Sequence, residues 1–143
     1  ECVKYLIKSC GADVNCQNNP GDAPLHFACD RGYLECVKYL IQSHGVNVNL
    51  QNLLGITPLH EACMNDQLEC IEYLIASANA DIDIQDNVKK TPLDVIRTTD
   101  QLNVVKSIIA GRSHRNQQQR QQLKENKQED KQLKQRLKQQ KEA

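Results

Sequence analysis

Aromatic side chains are almost missing from this sequence, which has no Trp, one Phe and four Tyr in 143 residues. That scarcity argues against a single layered globule around a large aromatic core, because such rings supply much of the buried area of those cores. Long apolar runs are missing too. No stretch reaches the ~18 consecutive apolar residues that a membrane-spanning helix needs, so no membrane association is expected. No basic-then-apolar leader precedes Glu1, so no secretory signal is visible. Motifs of catalysis are also lacking. There is no Gly-rich phosphate loop, no G-x-S-x-G, no H-E-x-x-H and no kinase signature. The sequence therefore predicts no enzyme, no catalytic residues, no cofactor and no small-molecule substrate.

A tight, even-numbered cysteine framework is absent as well. The seven Cys are an odd number, and most recur at long intervals, which fits a reducing compartment better than a disulfide scaffold. A cytoplasmic location follows as the expectation, with cytoskeletal or nuclear settings as variants of it. Cys29–Cys36 and Cys63–Cys70 are too widely spaced for the usual C-x(2–4)-C zinc pattern, and read as small buried hydrophobes. Cys10 and Cys16 lack copies elsewhere and are the better candidates for a stray reactive thiol.

The zero net charge hides an asymmetry. Residues 1–111 hold 8 Lys and Arg against 14 Asp and Glu, a balance of −6, while residues 112–143 hold 10 against 4, a balance of +6. Opposite charge in two halves points to two functional parts, one of them an interaction tail.

What the sequence does have is a period. ECVKYLI at 1–7 returns unchanged at 35–41, as ECIEYLI at 69–75 and, degraded, as NVVKSII at 103–109. Leu25, Leu59 and Leu93 stand 34 apart, as do Pro24, Pro58 and Pro92. DVNCQN, NVNLQN and DIDIQD are three copies of one segment. A fixed period of this size marks stacked supersecondary units that bury their apolar faces only against neighbours.

The middle unit shows the local physics. Thr57 suits an N-cap, and Pro58 suits the first helical position, where its missing N–H costs nothing. Leu59, Ala62 and Cys63 form an apolar stripe at i, i+3 and i+4. Residues 65–67 turn the chain into a second helix over 68–77, with Leu68, Ile71, Leu74 and Ile75 on its buried stripe. DIDIQ then alternates with period two and leads into turn formers. Each unit thus reads helix, turn, helix, hairpin loop.

The stretches DAPLHFACDRGYLECVKYLI and ITPLHEACMNDQLECIEYLI resemble ankyrin repeats, through the T-P-L-H-x-A helix start and the A-D-V-N loop. The resemblance covers residues 1 to about 110. It implies an all-α solenoid of helix-turn-helix-hairpin units, here of 34 residues; a long polar C-terminal helix is expected to follow it from the composition of the tail. The domains expected are an ankyrin repeat domain over 1–111 and a basic Gln/Lys-rich helical tail over 112–143. Within the first, a partial repeat at 1–21 precedes full repeats at 22–55 and 56–89 and a capping repeat at 90–111. Residues 1–21 supply an outer helix without its inner partner, so further repeats upstream are expected. In the last unit Asp94 replaces the His of His26 and His60, and Lys89 replaces the Gly of Gly21 and Gly55; a more polar final repeat suits a cap that meets water.

The resemblance also implies how such a protein works. Partners of ankyrin repeats bind the hairpin tips and the exposed side of the inner helices, where the copies differ. Those positions are Asn19, Asp22, Phe27 and Arg31 in the first unit. In the second they are Leu53, Leu54, Ile56, Glu61, Met64 and Asn65, and in the third Val88 and Lys90. Three aliphatics on the NLLGI tip suggest a hydrophobic anchor; the alternative is that they pack on neighbouring tips. His26 and His60 read as structural rings bonded to backbone or to the capping hydroxyl, with no metal role.

From Ser113 onward the chain has ten Gln, no Gly, no Pro and no β-branched residue, a composition of good helix formers. With Leu123 and Leu137 at a and Leu133 at d, the remaining seam positions are polar, so the segment is not a self-sufficient coiled coil. Its basic residues, Lys131, Lys134 and Lys138 among them, admit three readings. They belong to a solvated extension, to a contact with an acidic protein surface or filament, or to a contact with nucleic acid, which ranks last because no aromatic is there to stack. The function expected is a protein–protein interaction scaffold or adaptor. The alternatives are a structural component of a cytoskeletal or ribonucleoprotein assembly, and a regulatory module of a longer enzyme or channel.

Overall fold

The computed structural model describes residues 13–42 and 45–142, with side chains past Glu129 described only at 131, 132 and 134. These residues form five α-helices and no strand: α1 (Pro24–Asp30), α2 (Leu34–Gln42), α3 (Pro58–Met64), α4 (Leu68–Ala76) and α5 (Thr99–Glu142). The heptamer at residues 1–7, Cys10, His44 and the side chains of Leu133, Leu137 and Lys138 lie outside the described residues. By its packing the chain divides into two units, Glu1–Ile109 and Ala110–Ala143.

The second repeat shows why the sequence folds this way. Thr57 is extended (φ −95°, ψ 164°), and its hydroxyl accepts from the His60 N–H at 3.4 Å, with Pro58 at the first helical position. Asp66 adopts φ 58° between α3 and α4, a left-handed turn that an Asp tolerates better than most residues. At the far end of α4, Asn79 takes φ 55°. The Ala80 N–H then returns to the Leu74 carbonyl at 2.9 Å, which caps a helix end that would otherwise leave carbonyls bare.

Helix α1 packs on α2 and α3 on α4; α1 also packs on α3, and α2 on α4. Two helical layers result, one of inner and one of outer helices. Leu25 and Leu59 fill the core from the inner layer, and Val37, Leu40, Ile71, Leu74 and Ile75 from the outer. Each such aliphatic contributes ~1.5–3 kcal/mol when fully buried. Leu68 departs from the expected stripe. It is 37% exposed, and Cys70 is buried instead. The buried arc of the helix runs from Cys70 through Leu74 and Ile71 to Ile75, and Leu68 falls just beyond its Ile75 border, in the first turn.

The loop after α4 keeps the period-two pattern without forming a strand. Ile82 and Ile84 are half-buried and alternate with exposed Asp81, Asp83 and Gln85. The third T-P-L start does not grow into a helix. Residues 92–95 form a turn, in which the Asp94 N–H bonds the Thr91 carbonyl at 3.0 Å and the Asp94 carboxylate accepts from both the Thr91 N–H and the Thr91 hydroxyl at 2.8 Å. These bonds hold the Asp94 carboxyl below its ordinary range. The chain then enters α5, whose first part, up to Ile109, belongs to the first unit. Val105 is buried there, and the Gln101 amide donates to the Cys63 carbonyl at 3.2 Å. The helix passes Gly111 without a break.

Candidate functional site

The hairpin tips are built on one plan. Asn52 Oδ1 accepts from the N–H groups of Leu54 at 2.9 Å and Ile56 at 3.0 Å. Asp86 Oδ1 does the same for Val88 and Lys90, both at 2.9 Å. Asn18 Oδ1 accepts from the Asp22 N–H at 2.8 Å. Side chains of this kind hold a turn by standing in for backbone acceptors. Adjacent tips are joined through backbone: Leu53 N–H to Pro20 C=O at 3.1 Å, and Asn87 N–H to Leu54 C=O at 3.0 Å. The polar groups of residues 53 and 54 are thereby committed, and their side chains are left to the outside. Leu53 is 70% exposed, Leu54 62% and Val88 72%.

Close approach at these tips requires glycine. Gly21 and Gly55 have φ +84° and +77°, and a Cβ on Gly55 would stand 2.8 Å from Asn87 Oδ1 and 2.9 Å from Asn87 N. Lys89 takes φ 66° at the equivalent place in the third unit.

Two buried histidines tie each unit to the next. His60 Nδ1 accepts from the Thr57 N–H at 3.2 Å and meets the Thr57 hydroxyl at 2.8 Å, while Nε2 reaches the Lys90 carbonyl at 3.0 Å. Since Nδ1 is the acceptor, the proton is on Nε2, which donates. His26 repeats the arrangement with the Ala23 N–H at 3.1 Å and the Ile56 carbonyl at 3.1 Å. Burial lowers the His26 pKa, against smaller opposing effects that include the Ile56 hydrogen bond. Both rings are therefore structural, as the sequence suggested, but their reach into the following repeat was not foreseen.

A cavity of about 190 Å³ opens beside the first ring, lined by Asp22, His26, Phe27, Asp30 and Glu61. Small-molecule sites usually occupy ~300–1,000 Å³, so this one has room for a single side chain. Glu61 is half-buried, and burial, with Asp30 and Asp22 nearby, raises its carboxyl to about 6. Phe27 is 51% exposed at the rim.

The remaining sequence-predicted positions divide into two groups. Asn19 and Lys90 are exposed at tips, and Arg31 is exposed in an ion pair with its neighbour Asp30 at 2.9 Å. Others are engaged inside the solenoid. Asp22 accepts from Asn52 Nδ2 at 2.7 Å, and Asn65 Nδ2 donates to Asp30 Oδ1 at 3.0 Å, each bond crossing between units. Ile56 corrects an expectation: it is half-buried, not an exposed tip aliphatic, and its carbonyl serves His26. Met64 is also half-buried. Lys131 and Lys134 are exposed on α5, while Lys138 lies in the undescribed part. Cys29, Cys63 and Cys70 are buried free thiols. Burial raises all three, Cys63 to about 12, which leaves them protonated and inert. Among the described residues no group of His, Cys, Asp or Glu could hold a metal ion.

The family model for ankyrin repeats, in three copies, matches residues 1–86 and 44–120. The chain belongs to the ankyrin repeat family. Ankyrin repeats are in general a protein–protein interaction fold. A search among curated proteins finds no match to the chain. No helix among the described residues is long and apolar enough to cross a membrane.

Sequence reasoning missed the polar ladder that aligns the ankyrin tips. Gln17 Nε2 donates to the Gly21 and Gln51 carbonyls, and Gln51 Nε2 to those of Gly55 and Gln85 at 2.8 and 3.1 Å. Asn15 and Asn49 accept from the N–H groups of Asn47 and Asp81, each at 2.9 Å. The signal was present in the retention of Gln17, Gln51 and Gln85 at one place in three otherwise varying segments.

Proposed function

We propose that this ankyrin repeat chain is a non-enzymatic adaptor. It binds a protein partner through its hairpin tips and the exposed side of its inner helices, with the basic helical tail as a second contact. The observation that carries this reading is the exposure of Leu53, Leu54 and Val88 on tips where the N–H groups of all three and the carbonyls of Leu53 and Leu54 are already bonded. Nothing in the repeat architecture needs aliphatic residues there, and each would contribute ~1.5–3 kcal/mol if a partner covered it. The cavity between Asp22, Asp30 and Glu61 would take one donor-bearing side chain of that partner beside the Phe27 ring. The buried, protonated thiols support a reducing setting such as the cytoplasm.

Affinity capture with the full chain, read by mass spectrometry, tests the proposal when run beside L53D/L54D and a chain lacking residues 112–143. Partners retained by wild type and lost by L53D/L54D support it. Partners retained by both but lost on removing the tail would shift binding from the repeats to the tail.

A further inference from the structure

The second unit of the chain carries a pattern that its composition conceals. Arg120, Lys124, Lys127, Lys131 and Lys134 follow one another at steps of four, three, four and three residues, all on α5 and all exposed. In sequence, Lys138 and Lys141 continue the same steps. A mean step of 3.5 residues keeps side chains on one face of an α-helix, with a drift of only ~20° per heptad. The cations therefore form one column, with a mean rise of ~5 Å between neighbours and a length of ~21 Å from Arg120 to Lys134. Glu125 and Glu129 project from the opposite side of the helix. A shallow groove runs along the column between Lys124, Lys127, Gln128, Lys131 and Gln132.

This spacing works against the isolated helix. Like charges at i, i+3 and i+4 repel, and every neighbour within the column is such a pair. No acidic side chain among the described residues forms an ion pair with these five cations. In sequence a single acid, Asp130, falls at such an interval from any of the five, namely Lys127 and Lys134, while Glu125 and Glu129 stand at none.

Resting on the tail-contact reading above, we infer that this column is a docking surface for an acidic α-helical segment of a protein partner, with carboxylates at matching three- and four-residue steps. The charge and the geometry agree. Carboxylates on a partner helix recur at the same ~5 Å rise, so each cation meets its own counter-charge along a straight line. Leu123, exposed and next to the column, offers the apolar contact that such paired helices use at their seam. Pairing between two copies of the tail would set Arg120 and Lys127 against cations or neutral Gln in most alignments, so a second copy is the poorer partner. A nucleic acid fits less well. Residues 110–143 hold no aromatic for stacking, and single-strand binders rely on it. A duplex backbone also winds away from a straight single-sided column.

The test uses the full chain and three labelled probes in fluorescence anisotropy. These are a helical peptide with Glu at four-three spacing, a peptide of the same composition with its Glu scattered round the helix, and a DNA duplex. The diagnostic variant exchanges neighbours, K127Q/Q128K with K131Q/Q132K, which preserves net charge while moving two cations off the column. A second variant, K124Q/K127Q/K131Q/K134Q, removes the charge outright, and circular dichroism checks helicity in each. The expected result is a preference of about 10-fold or more for the spaced peptide, lost in the exchange variant and weakened by salt. Undiminished binding by the exchange variant would overturn the inference while leaving the tail contact standing as a matter of net charge. Tighter binding of the duplex than of the spaced peptide would overturn it in favour of a polyphosphate ligand. Undiminished binding by the quadruple variant would remove the tail contact itself.

Discussion

His60 is the residue through which the account of the scaffold can be tested most sharply. Its ring is fully buried, caps α3 through Nδ1 and crosses to the Lys90 carbonyl through Nε2. His60→Ala removes both bonds, leaves the buried Thr57 N–H without its acceptor and opens a cavity. Two lost hydrogen bonds at ~1 kcal/mol each and an unsatisfied buried donor at ~1–3 kcal/mol put the loss at ~3–5 kcal/mol. His60→Asn separates the two roles. Asp94 shows that a short side chain at this position can still accept from the N-cap residue, but a short side chain cannot span to the next repeat. The Asn variant should therefore recover ~1–2 kcal/mol of the Ala loss and no more. Urea denaturation followed by circular dichroism measures both, and a falling slope would report repeats unfolding separately. An Ala variant within about 1 kcal/mol of wild type would refute the claim that the ring holds adjacent repeats together.

Other perturbations follow from the same packing. Leu74→Ala empties a fully buried site in α4 and should cost ~2–5 kcal/mol in denaturant unfolding. Gly55→Ala forces a Cβ into the left-handed region and against Asn87; it should lose at least ~2 kcal/mol. Lys89→Gly, which relieves φ 66° in an exposed tip, should gain ~0.5–1 kcal/mol by the same assay. Glu61 gives a pH dependence. Its folded pKa of about 6 is above the unfolded value, so the stability it contributes is fully present below pH ~4.5 and lost as pH rises through ~6. Because the group is partly solvated, Glu61→Gln should raise stability at pH 7 by only about 1 kcal/mol, with the difference vanishing near pH 4. Taking the difference between wild type and variant removes the opposing contribution of His26, whose lowered pKa costs stability as pH falls.

The repeat was legible because packing is periodic. Identical surroundings select identical residues, so Leu25 and Leu59, or Val37 and Ile71, announce their burial by their spacing. Legibility failed at the edges of that periodicity. Leu68 is apolar and in phase, yet its azimuth falls at the border of the buried arc. Ile56 lies in an exposed-looking tip, but its carbonyl is held by a histidine 30 residues away, a long-range bond that no local pattern encodes. Asp94 signalled a departure without saying that the last inner helix would shrink to a turn. At the binding surface, Leu53 and Leu54 stood out because aliphatics there answer to no packing rule. The cavity of Asp22, Asp30 and Glu61 did not stand out, since its residues come from two repeats and meet only in three dimensions. The cationic column lies in the four-three spacing of Arg120, Lys124, Lys127, Lys131 and Lys134, which the net charge of the tail does not express.

The central claim is that partner binding resides in the tips, and calorimetry addresses it directly. The captured partner is titrated into wild-type chain and into L53D/L54D. Both side chains are largely exposed in the free protein, so the double variant should melt like wild type. If the two leucines anchor the partner, their replacement strips apolar contact and places charge in a desolvated patch. The account predicts a loss of ~2 kcal/mol or more, roughly 30-fold in affinity. Equal affinity for a variant with an intact melting curve would contradict it.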